Sequence, residues 1–101
     1  MRETAVEKRL IKKVKEAGGA CMKIMPVVAG YPDRLVLLPG GRLFLVETKA
    51  PKGALRPAQV VFIARAEAMG IPVAVLYTSN EVDNWVNEVS RLSADPPLDQ
   101  V

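Results

Sequence analysis

Three side chains in this chain have the types and the spacing for phosphate chemistry: Asp33, Glu47 and Lys49. Asp33 opens the apolar run Arg34-Leu35-Val36-Leu37-Leu38, and Glu47-Thr48-Lys49 closes the run that begins at Leu43. Pro39-Gly40-Gly41 lies between the two runs and reads as the turn of a hairpin. Residues two apart on a strand share a face, so Glu47 and Lys49 point the same way, and folding the hairpin brings Asp33 beside them. Two carboxylates offer oxygens to a hard divalent cation. A cation and an ammonium together can take up the charge of a phosphoryl transition state.

Whether the carboxylates meet depends on the length of the turn. A two-residue Gly40-Gly41 loop pairs Pro39 with Arg42 and sends Asp33 to the surface opposite Glu47. A three-residue Pro39-Gly40-Gly41 loop pairs Leu38 with Arg42 and sets Asp33 across from Glu47. Proline fixes a turn-like φ and has no N–H for the ladder. The chemistry therefore predicts the odd loop with a left-handed Gly41, or a compensating bulge near Asp33.

A chain of 101 residues, half of them hydrophobic and a quarter charged, predicts one globular domain. The expected domain is 1–93, with a disordered tail over 94–101. No apolar run approaches a membrane span, and Met1-Arg2-Glu3-Thr4 leads into an amphipathic pattern, not a signal peptide. The single Cys21 excludes an internal disulfide and a cysteine metal site, which fits a reducing cytoplasm. With no histidine, imidazole ligands and imidazole acid–base catalysis are excluded. Residues 1–65 carry 13 of the 14 basic residues and five of the 11 acids. That basic field surrounds the three candidate side chains and suits a polyanion such as nucleic acid, although an ordinary charged surface with an acidic tail has the same composition.

Around the hairpin the pattern predicts a helix over Thr4–Ala17 with a capping box at Thr4 and Glu7, and a strand over Ala20–Val28. It then predicts strands over Arg34–Leu38 and Leu43–Thr48, a helix over Pro57–Met69 and a strand over Pro72–Tyr77. A last helix follows a second capping box at Thr78 and Glu81. Both hairpin strands are apolar on both faces, which places them in the middle of a covered sheet. The helix between the last two strands implies a parallel crossover.

An aspartate, then Glu-x-Lys on a hairpin, then a helix resembles the PD-(D/E)xK nuclease superfamily. Within it, Gly30-Tyr31-Pro32-Asp33, Val46-Glu47-Thr48-Lys49-Ala50-Pro51 and Leu55-Arg56-Pro57-Ala58-Gln59 resemble the VRR-NUC (virus-type replication–repair nuclease) domain, in its small stand-alone phage form. The resemblance implies an α/β nuclease fold, with a central mixed sheet flanked by helices in the order helix–strand–hairpin–helix–strand–helix. It further implies Mg2+ or Mn2+ held by Asp33, Glu47 and the backbone carbonyl of Thr48, with Lys49 as catalytic lysine and Gln59 beside it in the catalytic set. Glu7 matches the family's early glutamate, a further metal ligand, but the capping box alone also explains it. Lys23, Arg34, Lys52 and Arg56 are the candidate DNA contacts; lone basic residues are also ordinary solvated ones. Gln59 has the bland alternative of a solvated first-turn glutamine. Arg56 stands where the family commonly has a serine, and it cannot cap the helix as serine does.

The activity expected is metal-dependent hydrolysis of DNA phosphodiester bonds, and the resemblance implies 5′-phosphate and 3′-hydroxyl ends. Resemblance to the stand-alone members implies branched DNA, such as a four-way junction, as the substrate, in replication or repair within a phage or bacterial host cell. A homodimer is expected, with Trp85 and the last helix as a possible interface. The rivals are a non-catalytic DNA-binding or assembly module on the same fold, and an enzyme acting on another phosphate compound such as a nucleotide. The intact Asp33, Glu47 and Lys49 weigh against the first. The lack of a glycine-rich phosphate loop before a helix weighs against the second.

Overall fold

The computed structural model describes residues 4–25 and 28–93. Helix α1 spans Ala5–Glu16. Thr4 caps it: its hydroxyl accepts the Glu7 N–H at 3.1 Å, and the Glu7 carboxylate accepts the Thr4 N–H at 2.9 Å. Val6, Leu10 and Val14 form its buried stripe. Gly18, at φ +85°, ends it by taking the left-handed conformation that glycine adopts freely.

Strands β1 (Ala20–Lys23), β2 (Arg34–Leu38), β3 (Arg42–Thr48) and β4 (Val73–Leu76) form one sheet in the order β1-β2-β3-β4. β1 and β2 are antiparallel, as are β2 and β3, while β4 runs parallel to β3 after the crossover helix α2 (Pro57–Ala68). The sheet is thus mixed, with helices against both faces. β1 stops at Lys23, well short of the expected Val28. One further bond, from the Ile24 N–H to the Asp33 carbonyl at 2.9 Å, carries the pairing slightly past that end. Pro26 and Val27, and the expected tail from residue 94, lie outside the described residues.

The loop of the hairpin has the odd length that the chemistry requires. Leu38 pairs with Arg42 and Arg34 with Val46, leaving Pro39-Gly40-Gly41 as the turn. Gly40 and Gly41 both have positive φ, +90° and +74°, a region open to glycine without strain.

Alternation along these strands sorts the side chains onto two faces. Val36, Leu38, Val46 and Leu76 bury one face against α1 and against Val82, Val86 and Val89 of α3 (Ser79–Ser93). A bidentate Arg9–Asp83 pair ties these two helices together. Val82, Val86 and Val89 of α3 are therefore core, which takes these three out of the expected subunit interface. Trp85 is only half-buried and meets the Phe44 ring edge-on at 5.5 Å between centroids. α2 lies over part of the opposite face, where Gln59, Phe62 and Ile63 gather with Glu47 and Val73, while Leu43 remains 58% exposed. The expectation of a sheet covered on both sides thus holds fully for one face only.

Candidate active site

Glu47 lies on this second face, one residue before the end of β3, and is buried. β3 places it directly beside β4, in register with Val75. The Lys49 N–H donates to the Leu76 carbonyl at 2.9 Å, so the strand's alternation continues one residue past its end. Lys49 consequently shares the Glu47 face, with Nζ 3.7 Å from Oε2. From the other side Gln59 donates its amide N–H to the same Oε2 at 2.8 Å. The Gln59 carbonyl oxygen accepts the Arg56 N–H at 2.8 Å. Gln59 thus supplies, from the third position of α2, a cap that Arg56 itself does not provide, and turns its remaining polar atom to Glu47.

Asp33 stands at the entrance to β2. Its two carboxylate oxygens accept from one residue: Oδ1 from the Thr48 N–H at 3.0 Å and Oδ2 from the Thr48 hydroxyl at 2.6 Å. Burial raises the Glu47 pKa above the ordinary carboxylate value, and the negative charge of Asp33 adds to it. The Lys49 ammonium and the Asp33 backbone amide pull it back in part. The Asp33 charge that disfavours Glu47 ionisation is one that a cation would relieve. The ligand chemistry is oxygen only, and among the described residues no group of three or more acidic, cysteine or histidine side chains converges. That donor set fits magnesium or manganese, which commonly use one or two carboxylates and complete their shell with water and substrate phosphate.

The segment before Asp33 explains the local sequence. Gly30 has φ +94°, and a Cβ built there would stand 2.4 Å from the Ala58 carbonyl oxygen. The loop therefore lies flat against the first turn of α2. Pro32 is buried beneath it, and the Tyr31 ring tilts onto Phe62 at 5.3 Å between centroids. This contact fixes Asp33 relative to Gln59. Gly30→Ala is expected to push α2 away and destabilise the fold by about 1–3 kcal/mol. The check is a lower melting temperature together with weaker cleavage; an unchanged melting temperature would count against the close approach.

The other candidates are not gathered at these carboxylates. Glu7 is committed elsewhere: Oε1 accepts the Thr4 N–H and Oε2 accepts the Arg34 guanidinium at 3.0 Å. Burial works to raise the Glu7 pKa, but the Thr4 amide and Arg34 outweigh it and hold the pKa below the ordinary value. Arg34, expected as a DNA contact, is 3% exposed and sits inside the protein on Glu7. The placement follows from alternation, since Arg34 shares the helix-covered face with Val36 and Leu38. Lys23 is exposed on β1 and pairs across from Arg34, so the register sets it on that same face, away from Glu47. Lys52 and Arg56 are exposed in the loop between β3 and α2, beside Lys49 and Gln59. The hydroxyl of Thr48 is the contributor that residue spacing did not reveal, because a strand-end side chain reaching its cross-strand neighbour leaves no periodic signal.

A mixed sheet with a carboxylate entering one hairpin strand and Glu-x-Lys leaving the next defines the PD-(D/E)xK class of nucleases. No family model matches the sequence. The chain is 43% identical over 77 residues to a protein of Acyrthosiphon pisum secondary endosymbiont phage 1 named "Putative nuclease p44", spanning 75% of this chain and 83% of that protein. A solved structure described as a VRR_NUC domain superposes with a TM-score of 0.74 at 28% identity, covering 81% of this chain and 90% of the other. The chain belongs to the VRR-NUC nuclease family.

Proposed function

We propose that this protein is a divalent-cation-dependent DNA endonuclease selective for branched DNA, with four-way junctions as its preferred substrate. The observation that carries the reading is the placement of Glu47 between Lys49 and Gln59 with Asp33 close by. Asp33, Glu47 and the Thr48 carbonyl would hold Mg2+ or Mn2+. When bound, the cation supplies positive charge to the phosphate oxygens and makes the attacking water more acidic. Gln59 fixes the Glu47 carboxylate through Oε2. Lys49, on the same face, orients the attacking water and neutralises charge that develops on the phosphate. Lys52 and Arg56, exposed in the loop before α2, would meet flanking DNA phosphates. The start of α2 adds backbone amides and the positive end of the helix dipole.

One chain carries one such site, so cutting both strands of a junction calls for a second copy. We place this protein as a symmetric homodimer. With the α3 stripe in the core, Val60 and Val61, about half exposed on α2, and Leu43 on the less covered sheet face are apolar side chains left for that contact. Sedimentation equilibrium is expected to give a dimer at micromolar concentration; a monomer throughout, with and without DNA, would remove the dimer. No helix among the described residues is long and apolar enough to cross a membrane. We place the activity in the cytoplasm of the phage-infected or bacterial cell.

The deciding assay incubates labelled linear, flap and four-way DNA with Mn2+ or with chelator. Cleavage of the four-way substrate at least tenfold faster than linear DNA, lost in chelator, is expected. Equal rates on all three would remove the selectivity. Binding without cleavage under every divalent cation would favour the non-catalytic module.

A further inference from the structure

We propose that the Thr48 side chain is a positioning residue that holds the Asp33 carboxylate in its cation-binding orientation. The proposal rests on the reading of Asp33 as a cation ligand and goes beyond the part expected of Thr48, which was its backbone carbonyl alone.

The geometry follows from where the hairpin ends. β2 and β3 pair from Arg34 and Val46 to Leu38 and Arg42. Continuing the register two residues outward would set Pro32 across from Thr48, but β2 has already ended. The Thr48 N–H meets the Asp33 Oδ1 there instead, at 3.0 Å. The hydroxyl completes a ring by donating to Oδ2 at 2.6 Å, the short distance typical of a charge-assisted bond. Two donors from one residue fix both oxygens of one carboxylate, and with them the plane of the group.

Thr48 is itself held firmly. It is buried, pairs with Leu76 in the parallel ladder, and is β-branched, which limits its χ1. A carboxylate has about four lone-pair sites; Thr48 occupies two and leaves the outward pair to a ligand. In an antiparallel ladder the N–H and C=O of one residue project toward the same neighbouring strand. The carbonyl of Thr48 therefore projects to the side on which its amide meets Asp33. One residue thus orders one ligand through its hydroxyl and amide and offers a second through its carbonyl. Only the hydroxyl can be removed by substitution, and valine matches threonine in shape.

The experiment titrates Mn2+ into the DNA-free protein by isothermal calorimetry, for wild type, Thr48→Val, Thr48→Ser and Asp33→Asn. Removing an outer partner of a metal ligand commonly weakens binding by about 10–100-fold. Thr48→Val is expected to weaken Mn2+ binding at least tenfold. Thr48→Ser, which keeps the hydroxyl, is expected to stay within about threefold of wild type. If Thr48→Val binds Mn2+ as wild type does while Asp33→Asn does not, the positioning role is overturned and the cation site stands. If Asp33→Asn matches wild type, the cation site itself falls, and this proposal with it. Should Thr48→Val fail to fold, Thr48→Ala, which also lacks the hydroxyl, takes its place with the same two outcomes.

Discussion

Glu47→Ala is expected to lower single-turnover DNA cleavage by about 10³-fold or more while leaving the fold intact. The removed carboxylate meets Lys49 on one side and Gln59 on the other. Loss of a single preorganised charge-stabilising group costs about 10²–10³ in rate. Glu47 would also hold the cation, so its loss removes more than one contact. The stability side has the opposite sign. Burial first, and then the Asp33 charge, raise the folded-state pKa of Glu47. A raised carboxylate favours the folded state most at pH below the unfolded value of about 4.5. That advantage fades as pH rises through the folded value, and above it the ionised Glu47 is a net cost in the cation-free protein. Glu47→Gln lacks that cost but also loses the Lys49 pair, which offsets part of the gain. Its cation-free melting temperature at neutral pH is expected to equal or exceed that of wild type, by up to a few degrees. Added Mn2+ should then raise the melting temperature of wild type only. Glu47→Gln that melts well below wild type, or cuts at wild-type rate, would remove Glu47 from the site.

Much of this site is legible before any coordinates. Alternation leaves a two- or three-residue turn open; the requirement that Asp33 and Glu47 share a face selects Pro39-Gly40-Gly41, and Leu38 does pair with Arg42. Lys49 follows from Glu47 by period two. The capping box at Thr4 and Glu7 is written in the chain and is formed. What alternation does not carry is which face of a doubly apolar strand the helices will cover. Arg34 therefore reads as a surface cation next to the candidate ligand Asp33, whereas its even position commits it to the covered face. The same gap misassigns the α3 stripe. Val82, Val86 and Val89 make an apolar face equally suited to a core or to a partner, and only the packing against α1 decides. β1 reads too long because Ile24-Met25 continues the apolar composition after the regular pairing with β2 has ended at Lys23 and Arg34.

Glu7→Ala is expected to destabilise the protein by about 3–5 kcal/mol, the largest stability effect of any substitution proposed. The carboxylate has two tasks inside the fold. One oxygen takes the Thr4 N–H, which closes the start of α1; loss of such a capping contact costs about 1 kcal/mol. The other takes the Arg34 guanidinium at 3.0 Å, where Arg34 is 3% exposed. Truncating one partner of a buried pair takes that carboxylate away from the Arg34 guanidinium, and such a loss costs up to about 3–5 kcal/mol. Arg34 adjoins Asp33, so the pair also anchors the start of β2 behind the candidate ligand. The pH dependence supplies a second readout. Glu7 is held below its ordinary pKa because the Thr4 amide and Arg34 outweigh its burial. A lowered carboxylate adds stability at pH above the unfolded value of about 4.5, and that stability is lost as pH falls through the lower folded value. Wild type should accordingly lose stability on acidification below about pH 4.5 more steeply than Glu7→Gln, which has no carboxylate to protonate. Urea unfolding of both proteins at neutral and acidic pH measures this directly. Glu7→Ala within 1 kcal/mol of wild type at neutral pH would mean that Arg34 needs no carboxylate there, freeing Glu7 to be reconsidered as the metal ligand that its family position implies.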